Sequence, residues 1–197
     1  MTDVNDEPAG TATAILAHAS EILRGTPFDD ITYRALGEAA GVSERTVYRQ
    51  YPTRSHLLES LGEWIEAREF PLAPFVSVPE FQSAARERFH RYDAAPASAF
   101  VSARASIVSP TATAQANFST RAIASMVRAQ WPTLNDRDHA RLSATLSSFS
   151  SAQFWARLRT SCEMDAAEIA QVFDRSVSAA LAAAGVRSAA AAIAAIR

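Results

Sequence analysis

Between Ser43 and Arg49 the chain places two guanidinium groups (Arg45, Arg49), two hydroxyls (Ser43, Thr46) and a phenol (Tyr48). These side chains offer hydrogen-bond donors and a flat aromatic surface, suited to binding. Read as a helix at about 100° per residue, Val47 and Tyr51 fall together and face a core. Arg45, Thr46, Tyr48 and Arg49 then spread over the opposite side, across about 160°. Such a face has the chemistry of the major groove of duplex DNA. Arginine bonds guanine bidentately, the threonine methyl meets that of thymine, and a tyrosine reaches a phosphate or a thymine methyl. Thr32 and Arg54 bracket the segment as candidate phosphate clamps, Thr32 because the free N–H groups of a helix start attract anions.

These groups need two short helices held at an angle. Thr32 can cap a helix that runs to Ala40 and stops at Gly41, where a sharp turn calls for the positive φ that glycine tolerates. Val42 can drop into the angle, and Ser43 can cap the next helix, about 44–50. Leu36, Ala39 and Ala40 give the first helix an inward face, the alanines allowing close approach. Helix–glycine–helix segments with arginines also decorate many helical proteins, so the turn alone does not decide. The joint pattern is stricter: capping Thr32, Gly41-Val42-Ser43, Thr46-Val47-Tyr48, then Tyr51, Pro52 and Arg54 ahead of Ser55-His56-Leu57-Leu58.

On those residues, 11–60 resemble the DNA-binding domain of the tetracycline-repressor (TetR) family, whose pattern is a threonine-led helix, Ala-Gly-Val-Ser, Thr-Leu-Tyr or a near variant, an aromatic and a basic residue. Here these stand as Ala40-Gly41-Val42-Ser43, Thr46-Val47-Tyr48, Tyr51 and Arg54. Gln50, Tyr51 and Arg54 depart from the usual histidine, phenylalanine and lysine, which bears on the operator rather than on the fold. The resemblance implies a homodimer on a pseudo-palindromic double-stranded DNA operator, with half-sites about 34–36 Å apart. It further implies a repressor released by a small-molecule effector that tilts the fourth helix. A different class stays open, a ligand-binding or interaction protein whose reader no longer binds DNA.

Composition agrees with an all-α chain. Of 197 residues 48% are hydrophobic and six are glycine, enough for a helical body plus a small accessory domain. All nineteen basic residues are arginine and the net charge is −2, so DNA binding must come from a local patch. The segment 32–56 supplies one, with Arg34, Arg45, Arg49 and Arg54 against Glu38 and Glu44. The single cysteine, Cys162, excludes an internal disulfide framework and fits a reducing cytoplasm. No signal-peptide pattern opens the chain, and the Ala-rich tail falls short of the roughly 20 apolar residues of a membrane span.

The expected plan is an arm over 1–10, a helix-turn-helix reader over 11–54, a connecting helix over 55–72, a ligand-binding and dimerisation domain over 73–185, and a tail over 186–197. About nine helices are expected, the first over 11–24 and ended by Gly25, the fourth capped by Ser55. Ser77/Glu80 and Asp165/Glu168 have capping-box spacing, and further stretches lie near 97–108, 111–130 and 135–162. In the body, Ala140, Ser143, Ala144, Ser147, Ser151 and Ala152 form one small-residue face; Ala166, Ala170, Val177 and Leu181 form another. The resemblance implies that these two helices of each protomer form a four-helix dimer interface; packing within one protomer is the alternative.

Aromatics of the body suit an apolar ligand cavity, although any single one more often belongs to a plain core. The ligand-contact candidates are Phe89, Tyr92, Phe100, Arg104, Asn117, Phe118, Arg121 and Gln153. Glu87, His90 and Asp93 share a helical face but have no second ligand cluster, so no metal is expected. No nucleophile elbow, phosphate loop or Cys-x-x-Cys is present. Neither catalysis nor a cofactor is expected.

Overall fold

The computed structural model describes residues 7–108 and 114–185. The described residues form ten α-helices, one 3-10 turn and no strand. In chain order these are α1 (Glu7–Ile22), the turn Phe28–Asp30, α2 (Tyr33–Ala40), α3 (Glu44–Gln50) and α4 (Arg54–Arg68). There follow α5 (Val78–Ala94), α6 (Pro96–Val108), α7 (Ala114–Gln130), α8 (Asp136–Phe149), α9 (Ala152–Ser161) and α10 (Ala166–Ala183). The described residues are all-α, as the composition favours. Two compact units result: α1–α4 with α6, and α5 with α7–α10. The tail 186–197 and the first six residues lie outside the described residues.

The reader unit is built on leucines and isoleucines at helical spacing. α1 buries Ile15, Leu16 and Ala19, with Leu23 buried just past its end; α4 buries Leu57, Leu58, Leu61 and Ile65. α6 lies along α4 at a distance set by Gly62, where an added Cβ would come within 2.3 Å of the Ala105 Cβ. The buried Ser102 hydroxyl donates to Glu66, and the buried Ser20 hydroxyl to Glu69, so neither is left unsatisfied.

Several boundaries differ from expectation for local reasons. α1 starts at Glu7, within the expected arm, with Pro8 in a first turn that needs no N–H from it. It ends at Ile22, and Gly25 does not adopt positive φ; Gly25 N and Thr26 N both bond the Ile22 carbonyl instead. Thr53, not Ser55, caps α4 by accepting from His56 N at 3.1 Å. The tenth helix arises because 135–162 is two helices. At the junction Ser151 caps α9 and its hydroxyl donates to the Ser148 carbonyl, which is how serine draws backbone groups out of a helix.

The second unit centres on aromatic rings. Phe173 of α10 meets Phe81 and Phe89 of α5 at 5.6 and 5.4 Å, and Tyr92 meets Trp155 at 5.4 Å. Asp93 fastens three helices here. Its carboxylate accepts from Trp155 Nε1 of α9 and from Ala166 N at the start of α10, both at 2.8 Å. It therefore has structural partners, and no group of three or more His, Cys, Asp or Glu suited to a metal occurs among the described residues. The Asp165/Glu168 capping box forms in full. At Ser77/Glu80 the Glu80 carboxylate bonds Val76 N in place of Ser77 N.

One expectation is corrected. Ala166, Ala170, Val177 and Leu181 are all buried within this single chain, on the side of α10 that carries Ile169 and Phe173. They cannot also face a second protomer. No described helix is long and apolar enough to cross a membrane.

Candidate nucleic-acid interface

The two reader helices begin with side-chain caps. Thr32 Oγ1 accepts from Ala35 N at 3.1 Å, and Ser43 Oγ accepts from Thr46 N at 3.2 Å. Between them Gly41 turns with φ 67°, ψ 27°, the left-handed region. Val42 N then bonds the Gly37 carbonyl at 2.9 Å. The close approach of α2 to the start of α3 comes from Gly37. A Cβ there would lie 2.8 Å from the Val42 carbonyl oxygen. The alanines expected to serve this purpose stand aside: Ala39 is exposed and Ala40 half-buried.

α3 turns Val47 fully into the core, and Tyr51 follows it. The Tyr51 hydroxyl donates to the Ala12 carbonyl at 3.1 Å, and burial pushes its pKa up to about 12. Arg45, Tyr48 and Arg49 point outward, with Thr46 half-exposed beside them. Arg45 and Arg49 have no ion-pair or hydrogen-bond partner among the described residues, whereas exposed Arg34 is held by Glu38 at 2.9 Å. Tyr48 is 53% exposed, and its ring packs edge-on against Tyr33 at 4.4 Å.

All seven candidate DNA contacts border two depressions that share Tyr48. One, of about 380 Å³, is lined by Ser43, Arg45, Thr46, Tyr48 and Arg49. The other, of about 400 Å³, has Thr32, Tyr33, Tyr48, Thr53 and Arg54 on its walls, together with the carboxylates of Asp29 and Glu44.

Arg54 differs from the rest. Its Nη1 donates to the Ile31 carbonyl at 2.6 Å and its Nη2 to the Phe28 carbonyl, while the guanidinium lies 4.3 Å from the Phe28 ring centre. These bonds fix the turn that aims Thr32, which makes Arg54 a positioning residue in this geometry. Tyr33, which sequence reasoning missed, supports Tyr48 from below. It is buried, its hydroxyl has no partner among the described residues, and burial raises its pKa. Its position three and four residues before Leu36 and Gly37 was the available signal.

The eight candidate ligand contacts divide between the two units. Phe89 and Tyr92 are fully buried in the aromatic core of the second unit. Gln153 is half-buried on α9; Phe118 and Arg121 are exposed on α7. Asn117 is on α7, but its side chain lies outside the described residues. Phe100 and Arg104 belong to the reader unit, on α6, where Arg104 Nη1 bonds both carboxylate oxygens of Asp29 at 2.9 Å.

Comparison with known proteins agrees with this geometry. Residues 15–61 match the family described as bacterial regulatory proteins, tetR family. Over 58 residues the chain is 38% identical to the nucleoid occlusion factor SlmA of Marinomonas sp. (strain MWYL1), a match spanning 29% of each chain. No solved structure matches the chain. The matched stretch, from α1 to the first turns of α4, is similar to the bacterial regulatory proteins of the tetR family, and it covers about a quarter of the chain.

Proposed function

We propose that the protein is a transcriptional regulator that binds a pseudo-palindromic operator as a homodimer and acts as a repressor released by a small molecule. The observation that carries the DNA-reading part is the outward face of α3. It offers two guanidinium groups with no partner among the described residues, a threonine and a braced tyrosine on a helix fixed at both ends. Arg45, Thr46 and Arg49 read base edges. Ser43, Thr32 and Tyr48 lie where backbone phosphates pass, and Arg54 sets the turn before α2. Homodimerisation is supported by small residues left exposed on the second unit, Ala140 and Ala144 on α8, Ser178 and Ala182 on α10, which permit close helix approach. Release by an effector rests on the family alone. Nucleoid occlusion is not carried over from the relative, because the identity is limited to a reader-sized stretch.

Sheared genomic DNA from the source organism, captured by the purified protein and sequenced, tests this reading. Enrichment of a few sites sharing an inverted repeat is the expected result. Capture without site preference at moderate salt, persisting after refolding to strip any bound effector, would overturn it.

A further inference from the structure

A cleft of about 420 Å³ opens wholly within the reader unit, among the end of α1, the 3-10 turn and α6. Its size is in the range of small-molecule sites. Leu23, Phe28, Phe100 and Val101 form its apolar wall, and Phe100 keeps 38% of its surface exposed on α6. Two guanidinium groups stand on the same cleft. Arg24 is exposed with no partner among the described residues; Arg104 is held by Asp29. An exposed ring beside an uncompensated guanidinium is the chemistry that takes a flat anion, through stacking and a charge-assisted hydrogen bond.

Asp29 gives the cleft a consequence. It lines this cleft and also the depression with Thr32, Tyr48 and Arg54. Among the described residues its one ion pair is with Arg104, and Arg54 lines the same depression. We propose that the cleft binds an aromatic carboxylate, ring against Phe100 and carboxylate on Arg24 and Arg104, and that occupancy opposes DNA binding through Asp29. A ligand carboxylate that draws Arg104 away removes that ion pair and leaves the phosphate-facing wall more negative by one charge. DNA and ligand then weaken each other by the same factor, as linkage requires. The coupling rests on the DNA-reading proposal; the ligand site does not.

The test has two arms on the full-length chain, with benzoate and naphthoate as probes and naphthamide as the uncharged control. Calorimetric titration without DNA should give saturable naphthoate binding, with naphthamide about tenfold weaker. Ala97→Phe fills the cleft from an exposed position on α6 and should abolish binding; Arg24→Gln should weaken it about tenfold. Absence of saturable binding by both acids overturns the site, as does binding indifferent to both variants. The second arm measures affinity for the captured duplex with and without saturating naphthoate. A rise in Kd on the order of tenfold is expected, and Asp29→Asn should bind naphthoate yet lose that rise. Ligand binding with unchanged DNA affinity overturns the coupling. Failure of the protein to prefer any duplex overturns the DNA-reading proposal instead, while the first arm still decides the ligand site.

Discussion

Gly37→Ala tests how α2 and α3 are held together. The new methyl would lie 2.8 Å from the Val42 carbonyl oxygen, 3.2 Å from Glu44 N and 3.3 Å from the Ser43 carbonyl carbon. All three are backbone atoms, so no rotamer change relieves the overlap. Restoring ordinary contact at 3.4 Å requires the start of α3 to retreat by about 0.6 Å, the difference between 3.4 and 2.8 Å. Overpacking of this kind costs about 1–3 kcal/mol. Alanine recovers about 0.8–1.0 kcal/mol through helix propensity. The net expectation is a loss of about 1 kcal/mol, read as a lower urea midpoint at unchanged slope. Because α3 carries the reading face, DNA affinity should fall as well, by about the value of one bidentate base contact, 1–3 kcal/mol. Gly25→Ala is the control, with no atom within 4 Å of its Cβ and ordinary φ, and should be neutral or slightly stabilising. A Gly37→Ala protein that is more stable than wild type and binds DNA equally well would refute the reasoning.

Arg54→Ala should lower the thermal midpoint, since two carbonyls lose charged donors worth about 1.5–3 kcal/mol each, yet leave the salt dependence of DNA binding unchanged. A salt slope reduced by about one would instead make Arg54 a phosphate contact. Asp93→Ala should destabilise the second unit by about 2–4 kcal/mol, because Trp155 Nε1 and Ala166 N lose a shared acceptor; denaturant titration monitored by tryptophan fluorescence reads this directly. For Tyr51 the folded pKa of about 12 exceeds the ordinary 10.0. Its contribution is fully present below pH 10 and is lost as pH rises from there towards 12, because the unfolded chain sheds a proton the folded chain keeps. Stability should fall by about 1.4 kcal/mol per pH unit across that window, and Tyr51→Phe should flatten the fall.

What could be read from the sequence was local. Thr32, Ser43 and Asp165 cap their helices because a cap needs only the next three residues, and Gly41 turns because only its own φ is at stake. The outward set on α3 followed from helical period and from Val47 and Tyr51 marking the inner side. What escaped depends on partners distant in the chain. Arg54 looked like a free cation until the Phe28 and Ile31 carbonyls were brought to it. The close approach assigned to Ala39 and Ala40 belongs to Gly37, whose value lies in the backbone opposite. α6, rich in alanine and serine, has no strong face of its own. Gly62 of α4 decides which side it buries and joins it to the reader. The stripe from Ala166 to Leu181 was suitable for either partner, and the aromatic rings of α5 took it.

The central claim is that the outward face of α3 reads base sequence. Its most direct test compares base preference at each position of the captured site for wild type and Arg49→Ala at one salt concentration. A reading arginine predicts preference lost at one position per half-site, with discrimination there falling by about 1–3 kcal/mol and the other positions intact. An unchanged preference profile, whatever happened to overall affinity, would contradict the account.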